Sequence, residues 1–252
     1  MSLAASVFLA STAFAQVDFG DPGWGPSMEV VNDVVNDAII SDILGDVATK
    51  RAPRRDNGAP IFTQKKGGLM ASLTGASGLS SQSSPYAYSP RGGTDAKGAF
   101  LARLEKSDPQ AAATVALSLG NHDVVKIYEG IVSPFGLTSR DAADSMTAYT
   151  VLGWMIANSA GDPGRDSVLA ARAQVIQQLQ QSGAIPAGKS QEMDEELMHL
   201  FVIMHAGWQS SMKEGGQARR AYADGINTMW RNKFGKDLRS LNLTREGFRD
   251  RG

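Results

Sequence analysis

The stretch that decides the fold runs from residue 136 to residue 164 and reads GLTSRDAADSMTAYTVLGWMIANSAGDPG. Thr138 is a residue type that caps helices, and Asp141 and Asp144 follow where the positive end of a helix dipole favours anions. Gly161 and Pro163 stop the pattern. The spacing predicts one helix of about 22 residues whose C-terminal half is apolar on every side.

A helix that is apolar all round lies either in a membrane or in a protein core. A membrane span needs roughly 20 uninterrupted apolar residues. Here Arg140 and two aspartates stand at one end, and Asn158 stands at the other. The sequence therefore predicts a buried central helix, with Trp154 packed against the neighbouring helices and Asp144 contributing little to stability at the charged end.

Further segments from residue 95 onward repeat apolar residues at helical spacing, between capping residues, glycines and prolines. Helices are predicted at 95–104, 108–119, 121–132, 164–182, 189–213 and 215–233. No segment shows clear two-residue alternation, so no strand is predicted, and the end of the chain is interpreted as an extended cover with a short helical turn. The predicted fold class is all-α, a compact bundle of about five to seven helices.

The first 15 residues carry no charge and end in small residues at Ala13 and Ala15, as a signal peptide does. The alternative is an apolar N-terminal helix that stays attached. A signal peptide predicts a periplasmic or secreted protein. The chain has no cysteine, which excludes disulfides, thiolate metal sites and cysteine nucleophiles.

Two segments of opposite charge precede the predicted helical domain at 95–252. Residues 16–49 hold seven acids and no base, with one helix predicted at 28–48. Residues 50–94 are basic and rich in Gly, Ser and Pro, so they predict a flexible linker, with docking points at 61–62 and 86–88. The two charge blocks either contact each other or serve only to keep the arm soluble.

Three parts of the C-terminal region carry a resemblance: FGLTSRDAADSMTAYTVLGWMIAN, the acidic KSQEMDEEL, and the closing GKDLRSLNLTREGF. They resemble an uncharacterised bacterial domain of unknown function that occurs in exported helical proteins. The resemblance covers residues 95–252. It implies bacterial origin and export, and it implies no functional residue.

Glu196 and His199 form a Glu-x-x-His pair on one helix face. Helical carboxylate di-metal sites need two such pairs and two further glutamates. Neither His122 nor His205 has a glutamate three residues earlier, so no second pair exists. The pattern favours a surface ion pair between Glu195 and His199 over a metal site.

Two other motifs suggest nucleotide or nucleic-acid binding. Residues 183–190, GAIPAGKS, fit the phosphate-loop pattern, but they follow a predicted helix rather than a strand. They are therefore predicted to be a helix–helix loop with Ser190 as the cap. The basic residues between 219 and 239 are interpreted as the solvated face of a terminal helix, and no nucleic-acid partner is predicted.

These observations predict an exported, non-enzymatic protein with an interaction or structural role and an unidentified protein partner. The alternative is a small-molecule or metal-dependent enzyme with its site around Glu196 and His199. The sequence predicts no catalytic, cofactor-binding or metal-ligating residue, no cofactor, and no integral membrane segment in the mature chain.

Overall fold

The structure is a computed structural model and describes residues 84–90, 95–120, 122–185 and 187–251. The predicted signal peptide, the acidic segment with its helix at 28–48, and the linker up to residue 83 lie outside the described residues. The docking point predicted at 61–62 lies outside them as well.

Helices dominate the described residues, and the all-α prediction is confirmed. The seven helices are α1 (Ala96–Ser107), α2 (Pro109–Leu119), α3 (Val124–Val132), α4 (Ala142–Asn158), α5 (Arg165–Ser182), α6 (Ser190–Glu214) and α7 (Gly216–Phe234). Two short 3-10 helices lie at Ser133–Phe135 and Leu238–Ser240. None of these helices has the length and apolar character that crossing a membrane requires in the described part of the chain.

Helix α4 is the centre of the domain and packs against α5, α6 and α7. Every residue from Ala142 to Ala157 is buried, which confirms the predicted buried central helix. The helix begins later than predicted because Asp141, not Thr138, is its cap: the Asp141 carboxylate accepts a hydrogen bond from the Ala143 N–H at 2.9 Å. It ends at Asn158, before Ser159 in a left-handed conformation.

The C-terminal half of α4 is held by aromatic rings. Trp154 is 9 % exposed, its indole N–H donates to the Leu241 carbonyl at 2.9 Å, and its ring meets Phe248 edge-on. These partners belong to the C-terminal segment, whereas the sequence predicted neighbours from α5 and α6. At Gly153 a Cβ would lie 2.8 Å from the Trp230 ring, so glycine lets that ring rest on the helix backbone.

A small hairpin closes the chain, which corrects the prediction that no strand is present. Strand β1 (Leu241–Thr244) pairs antiparallel with β2 (Gly247–Asp250). Its strands are too short to show a two-residue alternation. The Gln174 side chain holds the hairpin on α5, donating to the Phe248 carbonyl at 3.1 Å and accepting from the Phe248 N–H at 2.7 Å.

Candidate functional site

Polar side chains are buried together at the N-terminal end of α4. Asp141 and Asp144 are 4 % and 2 % exposed, and Arg172 of α5 pairs with both. Its Nη2 lies 2.9 Å from Asp141 Oδ2, and its Nε donates to Asp144 Oδ1. The Thr138 N–H donates to the other Asp144 oxygen at 2.9 Å. Asp144 is thus buried and paired, whereas the sequence predicted that it contributes little to stability at the charged end of the helix.

Asp194 of α6 brings a third carboxylate to this place. It is fully buried and accepts a hydrogen bond from the Tyr88 hydroxyl at 2.6 Å. Burial raises the pKa of Asp194 to about 7, and the charges of Asp141 and Asp144 raise it as well, while the Tyr88 and Ser145 hydroxyls act in the opposite direction. The carboxyl group of Asp194 therefore changes between its protonated and ionised forms close to neutral pH.

Burial and neighbouring carboxylates also raise the pKa values of Asp144 and Tyr128. Burial raises the pKa of Asp144 even though the Arg172 guanidinium opposes the shift. Burial and the charges of Asp194, Asp144 and Asp141 hold the pKa of Tyr128 well above its usual range. Among the described residues, Arg172 is the only cation that forms an ion pair with a carboxylate of this group. We call Asp141, Asp144, Arg172, Asp194 and Tyr88 the polar cluster.

Tyr88 reaches the polar cluster from outside the helical domain, on residues 84–90, which we call the docked segment. Its backbone N–H donates to the Arg140 carbonyl at 3.0 Å, and the Ala142 N–H donates to the Tyr86 carbonyl at 3.4 Å. These bonds form an antiparallel bridge between Ala87 and Asp141. The docking point predicted at 86–88 is therefore confirmed, and the segment binds by strand-like backbone pairing.

Ser84 anchors the start of the docked segment through its side chain. Its hydroxyl donates to Asp141 Oδ1 at 2.7 Å, and the same carboxylate pairs with Arg172 through Oδ2. Asp141 thus caps α4, pairs with α5 and holds the docked segment at once. A carboxylate that meets three separate elements makes the position of each depend on the other two.

A cavity of about 640 Å³ opens beside the polar cluster. The docked segment, the loop before α4 and the start of α5 form its walls, and the lining includes Arg140, Arg165 and Arg172. Arg140 and Arg165 are exposed at its edge, and neither forms an ion pair with any residue that the structure describes. The cavity is therefore lined by one arginine that pairs with two carboxylates and by two arginines that form no ion pair with a described residue.

The residues predicted for the alternative enzyme site are engaged elsewhere. Glu196 is buried in an ion pair with Arg103 of α1. His199 is 4 % exposed, stacks on Phe100 and donates from Nδ1 to the Glu195 carbonyl at 2.6 Å, so the predicted surface ion pair with Glu195 is wrong. Burial lowers the pKa of His199, which keeps the imidazole neutral at pH 7.

The other sequence motifs do not meet at a shared site. The phosphate-loop motif begins at Gly183 and connects α5 to α6, so it follows a helix rather than a strand, as predicted. The cap of α6 is Lys189, whereas Ser190 was predicted. Over the described ranges, no three His, Cys, Asp or Glu side chains come together in a way that could hold a metal ion. Comparison with family models, curated proteins and solved structures found no match to the chain.

The sequence pattern predicted Asp141 and Asp144 as helix-end residues and did not identify Arg172 or Asp194. Tyr88 was predicted as part of a docking point, but not as the partner of Asp194. One signal was present: Asp194 lies between residues that are buried on the same helix, Met193 and Leu197 among them. An aspartate on a buried helical face requires a partner. The identity of that partner was not readable, because Tyr88 lies 106 residues away in a segment of linker composition.

Proposed function

We propose that this chain is an exported bacterial protein whose helical domain binds a protein partner without catalysing a reaction. The partner surface is the region around the docked segment and its cavity. The resemblance to exported helical proteins and the signal-peptide pattern of residues 1–15 support export.

The observation that carries this proposal is that the domain binds one segment of its own chain through backbone pairing. The docked segment joins the loop before α4 through two backbone hydrogen bonds and two side-chain anchors, Ser84 and Tyr88. Backbone pairing of this kind is a recurrent way for proteins to recognise extended chains. The adjoining cavity of about 640 Å³ leaves room for a second chain next to the first.

Site-specific photo-crosslinking in the native host tests this proposal. A photoreactive residue at Ala87, which is exposed and lines the cavity, is expected to capture one defined protein. The matched control places the same residue at Ala221, which is exposed on α7. Equal capture at both positions, or none at Ala87, would contradict a partner surface at the docked segment.

The alternative enzyme around Glu196 and His199 has less support. Arg103 neutralises Glu196, and the Glu195 carbonyl and the Phe100 ring fix His199. Replacing His199 by alanine is therefore expected to leave the metal content of the purified protein unchanged. Stoichiometric zinc, iron or manganese that disappears in this variant would favour the enzyme.

The export proposal has its own test. Peptidase cleavage after Ala15 gives a mature chain that begins at Gln16. Intact-mass measurement of the protein from the periplasm or the medium is expected to show that start. A chain in the same fraction that still carries Met1 would argue against the signal peptide.

A further inference from the structure

We infer that the cavity beside the docked segment binds carboxylate groups of an acidic segment in the partner protein, and that Arg140 and Arg165 hold them. This inference rests on the proposed function, since it names the chemistry of the partner. It assigns a role to two arginines that the polar cluster does not use.

The charge arrangement in the cavity supports an anionic ligand. Arg172 pairs with Asp141 and Asp144, so its charge is neutralised within the polar cluster. Arg140 and Arg165 line the same cavity and have no acidic partner among the described residues. Two unmatched guanidinium groups in the lining of one cavity favour a ligand with more than one negative charge, and their planar forks fit carboxylates.

The backbone of Gly136 lies next to the Arg165 guanidinium. Gly136 has a φ of 81°, and a Cβ at that position would lie 3.0 Å from Arg165 Nη2 and 3.1 Å from Nε. The guanidinium thus rests against bare backbone, in space that a side chain would fill. Arg165 therefore lies at the cavity wall, in room that glycine at position 136 leaves open.

The docked segment favours a polypeptide ligand over a free ion. Ser84, Ala87 and Tyr88 line the cavity, so a bound chain would run along the docked segment. In a strand, successive residues direct their backbone groups to opposite edges. Tyr86 and Tyr88 pair with the domain, and the Ala87 N–H donates to the Ser84 carbonyl at 3.5 Å, which leaves the Ala87 carbonyl on the edge away from the domain.

Fluorescence anisotropy on the full chain tests the inference, with a labelled octaglutamate peptide as the probe and low salt in the buffer. We expect the double variant Arg140→Gln/Arg165→Gln to bind the peptide at least about tenfold more weakly than the unmodified protein. The matched control is Arg219→Gln/Arg220→Gln, which removes two exposed charges on α7. It is expected to change the affinity by less than about twofold, because distant surface charges are screened.

Four outcomes would overturn the inference, the last of them in the crosslinking experiment. Equal weakening in both double variants would show a general charge effect, and unchanged binding in the cavity variant would place the ligand elsewhere. Competition by inorganic phosphate as strong as that of the peptide would identify a free oxyanion ligand instead. Circular dichroism confirms that each variant is folded. Crosslinking at Ala87 without any peptide effect would overturn the acidic chemistry and leave the proposed partner surface standing.

Discussion

The two ends of α4 are buried to the same degree by opposite chemistry. At the C-terminal end, Trp154 packs against the hairpin and Trp230 rests on Gly153. At the N-terminal end, Asp141 and Asp144 share Arg172, with the docked segment alongside. Apolar burial is non-directional and tolerates many neighbours, whereas a buried carboxylate needs one donor at one place. The comparison indicates that the polar end fixes which elements meet there.

The largest expected effect is at the apolar end. Trp154→Ala removes a nearly buried indole and its hydrogen bond to Leu241, and is expected to lower the free energy of unfolding by about 3–5 kcal/mol. Chemical denaturation measures it. Val125→Ala, at a 42 % exposed position on α3, is the control and is expected to cost far less. Equal losses would show that Trp154 is not part of the core.

A substitution at the polar end is expected to lower the free energy of unfolding nearly as much as one at the apolar end. Asp144→Ala removes one of the two carboxylates that pair with Arg172 and the acceptor for the Thr138 N–H, which is expected to cost about 3 kcal/mol. Asp166→Ala changes an exposed acid in the first turn of α5 and is the matched control. If both variants lose the same small amount, Asp144 acts only through the helix dipole, as its place in the sequence suggested.

Burial could be predicted from the sequence at the apolar end of α4 but not at the polar end, for a physical reason. Tyr149, Trp154 and Ile156 are apolar on successive faces, so their burial is readable from one short segment. The burial of Asp144 depends on Arg172, 28 residues away, and the pattern of neighbouring residues gives no information about such a partner. The helices of the bundle were predicted from local periodicity, whereas the polar cluster arises only from their packing.

Asp194 is expected to make stability depend on pH. Its pKa is raised to about 7 in the folded state from about 3.9 in an unfolded chain, so the folded state binds more protons between these values. Stability is therefore greatest below pH 4 for this group and falls as pH rises through 7. The titration of Asp194 alone is expected to lower the free energy of unfolding by roughly 2–3 kcal/mol between pH 5 and pH 8.

Asp194→Asn is expected to flatten that pH dependence, because the amide stays neutral and still accepts from Tyr88. Denaturation curves at pH 5 and pH 8 measure the change. Asp224→Asn, at an exposed acid on α7, is expected to keep the slope of the unmodified protein. A slope that persists in Asp194→Asn would assign the proton to Asp144, whose pKa burial also raises.

The smallest of these effects is at Tyr88. Tyr88→Phe removes the hydroxyl that donates to Asp194 at 2.6 Å and keeps the ring, so we expect a loss of about 1.5 kcal/mol at pH 8. The loss is expected to shrink at pH 5, where Asp194 is protonated and the hydrogen bond is no longer charge-assisted. A loss that is the same at both pH values would contradict direct bonding to the carboxylate.

Amide hydrogen exchange at Tyr88, measured by NMR on the full chain, tests most directly whether the docked segment lies on the polar end of α4. The Tyr88 N–H donates to the Arg140 carbonyl at 3.0 Å, and docking predicts exchange at least about 100-fold slower than in an unstructured peptide. The neighbouring amide of Ser89, an exposed residue that donates to no described carbonyl, is expected to exchange much faster. Exchange of Tyr88 at the unstructured rate would contradict the docked segment, and with it the partner surface.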